Sequence, residues 1–342
     1  MISTRRLPLR VVALTTLWPA GLGAVWAFAV FLLYYFAELQ FLRIPFLPLG
    51  TIGTAVAFYL GFKNNSAYDR FWEGRKIWGG IVNESRTWAN YVINSVYPGD
   101  DSPEAHAARK DLIYRHLAYI NALRLQLRRK SRFEDTGTRL TVRRLEKHRS
   151  HMRNDWDTEL APFLSPEELA QTHGEVNAAT QLQVRQSAAL QGLQRTGKVD
   201  LFHQLAMLEV VRAFYGLQGK AERIKATPFP RQYAETGRVF VRTFVALVPF
   251  GLLDVFAEHI HGGTLTLASF WPALPMVASS ALITWVFLMM EGVGDSSEDP
   301  FERSINDVPM NALCRVIERD LRQMLGETEL PEPEPVAEFI LY

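Results

Sequence analysis

The chain has 342 residues, with 37 Lys and Arg against 36 Asp and Glu and a single cysteine, Cys314. A net charge of +1 by itself says nothing about nucleic acid, and no nucleic-acid partner is expected. One thiol excludes both an intrachain disulfide and a thiolate-rich metal site. The length allows two or three domain-sized units, and a mean hydropathy near zero hides a sharp partition along the chain.

"STRRLPLR" (Ser3 to Arg10) resembles a twin-arginine export signal. The run behind it, Val11 to Ala37, holds 27 residues without Asp, Glu, Lys or Arg. A cleavable signal has an apolar core of roughly 7–15 residues, so an uncleaved first membrane span is the expectation. Ile44 to Phe62 is a second uncharged run, of 19 residues, and Gly262 to Met290 another, of 29. Roughly 20 apolar residues cross a bilayer as a helix. Thr243 to Leu253, between Arg242 and Asp254, is a weaker fourth candidate. Of the 37 bases, 26 lie between residues 63 and 230. Lys63, Arg70, Arg75 and Lys76 follow span two closely, and Arg5, Arg6 and Arg10 precede span one. The positive-inside rule then puts both termini and the middle block of a multi-pass membrane protein in the cytoplasm.

The expected organisation is therefore 1–62 with spans one and two, 63–230 as a cytoplasmic helical domain, 231–294 with spans three and four, and 295–342 as a cytoplasmic helix and tail. Ser102-Pro103-Glu104 predicts a capped helix start, and Leu112, His116, Tyr119, Leu123 and Leu127 follow at helical spacing. Ser165 with Glu168 predicts a capping box. Leu201, Leu205, Leu208, Arg212 and Tyr215 mark a further amphipathic helix, and alternating strand patterns are scarce. The basic stretch from Arg128 to Asp157 reads as a solvated connection. Asp307 predicts the cap of a last helix whose stripe is Met310, Leu313, Cys314, Ile317, Leu321 and Met324. "PEPEPVAEF" (Pro331 to Phe339) predicts an extended, loosely held tail.

Catalytic patterns are missing. "GLGAVW" (Gly21 to Trp26) lacks the third glycine and the strand of a dinucleotide turn. The pairs His148/His151 and His259/His261 have no further ligands at metal spacing. Asp295, Glu298 and Asp299 could hold a cation or form a solvated turn. No cofactor, no metal and no enzyme activity are expected. Span two offers something else. Gly53, Ala57 and Gly61 recur every fourth residue, a small-residue row that lets membrane helices approach closely. Thr54, Phe58 and Phe62 recur one residue later. With no proline until Pro98, the helix is expected to run on past the membrane through Arg70, Phe71, Trp72, Arg75 and Trp78. That suits a pore wall, in which bulky apolar rings gate by excluding water, and a closed ring of subunits is needed to enclose it.

"LGFKNNSAYDRFWEGRKIWGGIVNESRTWA" (Leu60 to Ala89) resembles the bacterial bestrophin pattern. "ERIKATPFPRQYA" (Glu222 to Ala234) and "EDPFERSINDVPMNALCRVIERDL" (Glu298 to Leu321) are similar to two further family segments in the same order; the likeness is weakest over 131–181. The resemblance implies an all-α membrane protein with four transmembrane helices per subunit and a large helical cytoplasmic domain, assembled as a homo-pentameric barrel. It implies Thr54, Phe58 and Phe62 at three neck positions and Phe229, between Pro228 and Pro230, at a cytoplasmic aperture. Asp299, Pro300, Phe301 and Asp307 belong to the C-terminal element. Ser304 and Asn306 stand where animal members carry calcium-binding carboxylates, which argues against calcium gating, since that ion takes 6–8 oxygen ligands.

The implied function is passive conduction of small monovalent ions. Residues 63–230 carry 26 bases and 19 acids, an excess of +7, and phenyl edges are partially positive; both favour chloride. A sodium-type cation channel of the same fold and a non-conducting membrane scaffold are the alternatives.

Overall fold

The computed structural model describes residues 9–129, 152–256, 271, 273–301, 306–336 and 340–342, with side chains from residue 16 onward. His148, His151, His259, His261, Ser304 and most of the charged insert lie outside the described residues. Among those described there is no β-strand, and ten α-helices occur: α1 Leu9–Phe36, α2 Phe46–Ser95, α3 Pro103–Leu127, α4 Trp156–Leu160, α5 Pro166–His173, α6 Ala178–Arg195, α7 Leu201–Ala226, α8 Arg231–Phe256, α9 Ala273–Ser297 and α10 Met310–Met324. Four of these, α1, α2, α8 and α9, are long and apolar enough to cross a membrane. One compact unit takes residues 9–69 and 229–298; the other takes 70–228 and 299–342. Helix α2 belongs to both, as 50 residues without a break.

The apolar unit packs α1 along α9, with α8 against both. Lipid tails are as apolar as leucine, so van der Waals fit rather than water exclusion must hold such helices together. Glycine supplies the close approach. A Cβ on Gly53 would come 2.7 Å from the ring of Phe244, and one on Gly251 would strike Leu49. Val30, Phe31, Leu60, Val241, Val248 and Met276 fill the remaining core. The weak fourth candidate is a full helix, Arg231 to Phe256. Several of its charges have partners: Arg238 holds Glu235 at 2.6 Å, and Asp254 accepts from Arg43 Nε at 2.7 Å and from the Phe46 backbone N–H at 3.1 Å. Asp254 thereby satisfies one of the orphan donors at the start of α2.

The second unit has a water-soluble type of core around α3. Leu112, Ile113, Leu117, Ile120 and Leu123 are all buried there, with Ile77, Trp78, Ile81, Trp88 and Val92 from α2. Each such side chain contributes ~1.5–3 kcal/mol when taken out of water. Ser102 accepts from Ala105 N and Ser165 from Glu168 N, as the sequence predicts. The Glu168 carboxylate does not close a capping box; it pairs with Arg115 at 3.1 Å, a charge-assisted bond that outweighs a neutral one. The stripe of α10 packs on α3, with Met310, Cys314, Ile317 and Leu321 buried. Burial pushes the Cys314 thiol up to about 11, which leaves it unreactive.

Two expectations change here. Helix α10 starts at Met310 with no side-chain cap: Pro309 has no N–H to give Asp307, the Met310 N–H donates to Val308 O at 2.8 Å, and Asp307 is buried rather than exposed at a helix start. The tail is extended but held. Glu334 pairs with Arg153 at 2.9 Å, Arg319 donates to Pro331 O at 2.5 Å, and Tyr342 O accepts from Ala312 N at 2.8 Å. The basic stretch is likewise anchored at its ends, since Arg128 donates to Met152 O at 2.7 Å. The buried Arg124 pairs with Glu159 at 2.6 Å, and Arg153 reaches the same carboxylate.

His116 is 2% exposed, with the rings of Trp88, Tyr119 and Phe214 around it and Ser85 Oγ 2.9 Å from its Nε2. Desolvation pushes its pKa from 6.5 down to about 3, so the native imidazole is neutral. The unfolded chain takes up the proton near 6.5 while the folded one refuses it. Stability is therefore complete above that pH and drains as pH falls, by up to about 1.4 kcal/mol per unit. Denaturation midpoints should drop between pH 6.5 and 5, and His116→Gln should flatten that slope; parallel slopes would contradict a neutral buried ring. In the apolar unit, Gly53→Val should lower the thermal midpoint, because overpacking against Phe244 costs about 1–3 kcal/mol; an unchanged midpoint would show that this contact yields freely.

Candidate pore-lining site

At about 100° per residue, Val56, Leu60, Lys63 and Ala67 share one face of α2, and all four are buried. Thr54, Phe58 and Phe62 fall within an arc of about 80° on the opposite face. Phe58 is 66% and Phe62 67% exposed, and Thr54 is exposed with its hydroxyl donating back to Gly50 O at 3.0 Å. The strip is therefore an aromatic surface turned away from the protomer's own packing. Its neighbours explain the small-residue row. A row of every fourth residue drifts by about 40° per step, so it starts packed, with Gly53 on Phe244, and ends open, with Gly61 exposed and nothing near its Cβ direction. Ala57 is half-buried between them.

Immediately behind Phe62 lies a charge cluster that joins Lys63, a marker of topology in the sequence, to Asp295, expected in a cation site or a solvated turn. Lys63 is 1% exposed, and its ammonium meets Asp295 of α9 at 2.5 Å. Arg238 of α8 approaches the same carboxylate at 3.6 Å and Glu291 at 4.0 Å. Asn64 donates to Met290 O at 2.9 Å and lies against Gly294. Tyr59, one turn earlier, donates to Tyr233 O at 2.7 Å. A buried ammonium is tolerated only when paired, so Lys63 fixes which face of α2 can turn outward. The signal was available: Lys63 directly follows one uncharged run, and Asp295 lies one turn past Glu291, which ends another.

The remaining expected residues divide. Arg70 closes the end of α7, donating to Ile224 O and Thr227 O, both at 2.6 Å, and to Asp299 at 3.2 Å. Gly74 opposes Pro300 and Phe301, with a Cβ there 3.2 Å from each, and Phe301 is buried. Trp78 is fully buried, Arg75 half-buried and Trp72 half-exposed. Asp295 and Asp299 are thus engaged by bases of the chain itself. No cluster of His, Cys, Asp and Glu able to hold a metal occurs among the described residues. Phe229 departs from the aperture expectation. It is 6% exposed and packs on Tyr233 with ring centroids 5.9 Å apart, while Pro228 beside it is half-buried and Pro230 exposed.

Comparison with known proteins agrees with this architecture. The chain is 28% identical to a voltage-dependent anion channel-forming protein of Ralstonia nicotianae, over 86% of this chain and 82% of that one. It is 25% identical to one so named from Escherichia coli, over 88% of this chain and 84% of that one. The crystal structure of a bacterial bestrophin homologue from Klebsiella pneumoniae superposes with a TM-score of 0.74 at 22% identity, covering 92% of this chain and 99% of that one. Residues 11–323 match the family described as Bacterial/Fungal Bestrophin protein. With four apolar helices, a second helix that outruns the membrane and a match over nearly its whole length, the chain belongs to the bacterial and fungal bestrophin family.

Proposed function

We propose that this protein is an ion channel, not an enzyme, in which five copies surround an axial path for small monovalent anions, chloride above all, in a bacterial inner membrane with both termini cytoplasmic. Thr54, Phe58 and Phe62 form the neck. The observation that carries the reading is the exposed aromatic strip on α2, opposite the face that packs. A phenyl surface turned from its own protomer must meet lipid, another subunit or a pore. The helix bearing it also runs on into a polar unit, as a continuous pathway requires. Rings of bulky apolar side chains then control passage by dewetting. The relatives' names support anions, and so does the excess of bases over acids in residues 63–230.

Purified protein in planar bilayers under a potassium chloride gradient tests this. The expected result is a passive current whose reversal potential lies on the chloride side. Phe58→Ala with Phe62→Ala should raise single-channel conductance by about twofold or more, because the dewetting barrier widens. Absence of current in the wild type would favour a scaffold, and an unchanged conductance in the assembled double variant would remove the neck assignment.

A further inference from the structure

The stretch from Lys63 to Lys76 carries four bases and two acids, and side-chain direction decides which of them a permeating ion meets. Lys63 turns inward to Asp295, and Arg70 turns inward to the end of α7 and Asp299. Lys76 is held by Glu73 at 3.2 Å on the same helix. Asp69 is different. It is exposed, and among the described residues no base comes within ion-pair distance of its carboxylate. On an ideal helix it lies at about 60° on a scale where Thr54, Phe58 and Phe62 fall at about 0°, 40° and 80°, and about 10 Å beyond Phe62. The helix is unbroken over that interval. Asp69 therefore lies within the arc of the neck strip, and Asn65, at about 20°, is the exposed polar residue between them.

Resting on the neck reading above, we infer that Asp69 is a selectivity-determining residue: five copies form a carboxylate ring just past the neck that draws cations in and limits how strongly the channel can prefer anions. A neck of phenyl rings acts chiefly by excluding water, and its weakly positive edges bias the sign far less than full charges do. Rings of Asp or Glu favour cations, and a narrow, low-dielectric mouth focuses their field. Lys63 and Arg70 are directed into the protein, Lys76, which shares the arc, is paired with Glu73, and the half-buried Arg75 lies at about 300°, outside the arc; among the described residues the unpaired charge exposed within the arc is therefore that of Asp69.

Reversal potentials under a sodium chloride gradient read the effect. Asp69→Asn should raise the chloride-to-sodium permeability ratio by about threefold or more at about 0.1 M salt, and the difference should shrink near 1 M, where the Debye length is about 3 Å. Asp69→Cys gives a readout independent of folding, because the only other thiol, Cys314, is buried. Modifying assembled channels with a sulfonate-bearing methanethiosulfonate should restore the wild-type ratio, and a trimethylammonium-bearing reagent should raise the ratio above that of Asp69→Asn. Conducting Asn and Cys variants that keep the wild-type ratio, or an introduced thiol that neither reagent reaches, would overturn the inference. The neck variants separate the two readings. A ratio that shifts while Phe58→Ala with Phe62→Ala leaves conductance unchanged sustains Asp69 and removes the neck; higher conductance with an unmoved ratio does the reverse.

Discussion

The pairing of Lys63 with Asp295 is the constraint from which the rest of the apolar unit follows. An ammonium 1% exposed at the end of a membrane-length apolar run has few acceptable positions. Once it is held by a carboxylate on α9, with Arg238 of α8 on the same carboxylate, three spans are tied at one level. The rotation of α2 about its axis is then fixed. Val56, Leu60 and Ala67 must face inward, and Phe58 and Phe62 must face out. The outward direction of two phenyl rings is thus a consequence of burying one charge on the opposite side of the helix.

The two units use different physics along the same helix. Before residue 70, α2 is held by glycine contacts such as Gly53 on Phe244 and by the charge cluster, since hydrocarbon offers no hydrophobic drive between helices. After it, Trp78, Ile81, Trp88 and Val92 enter a core sealed from water, where area burial does most of the work. Arg70 stands at the change. It occupies the carbonyls at the end of α7 and also holds Asp299, which brings the Pro300–Phe301 corner onto Gly74.

What the sequence revealed and what it concealed divide along a physical line. Features set within one element were legible. The Ser102 and Ser165 caps, the stripe of α10 and the long run of α2 all depend on spacing along the chain. Features set by a partner distant in sequence were not. Glu168 left its capping position for Arg115, and the chain before α10 is held by the Val308 N–H on Pro300 O rather than by an Asp307 cap. The tail "PEPEP" reads as loose until Arg153 and Arg319 are placed beside it. Among the site residues, helical phase puts Thr54, Phe58 and Phe62 on one face, but which face turns outward depends on Lys63 meeting Asp295. The burial of Phe229 depends on Tyr233 of the following helix, which spacing does not disclose.

The central claim is that the aromatic strip of α2 faces an axis shared by copies of the chain. Single-particle imaging of the intact protein in lipid nanodiscs tests it most directly. The account predicts particles of five protomers with the Phe58 and Phe62 rings converging on the symmetry axis. Isolated protomers, or rings in which those phenyl groups point into the surrounding lipid, would contradict it.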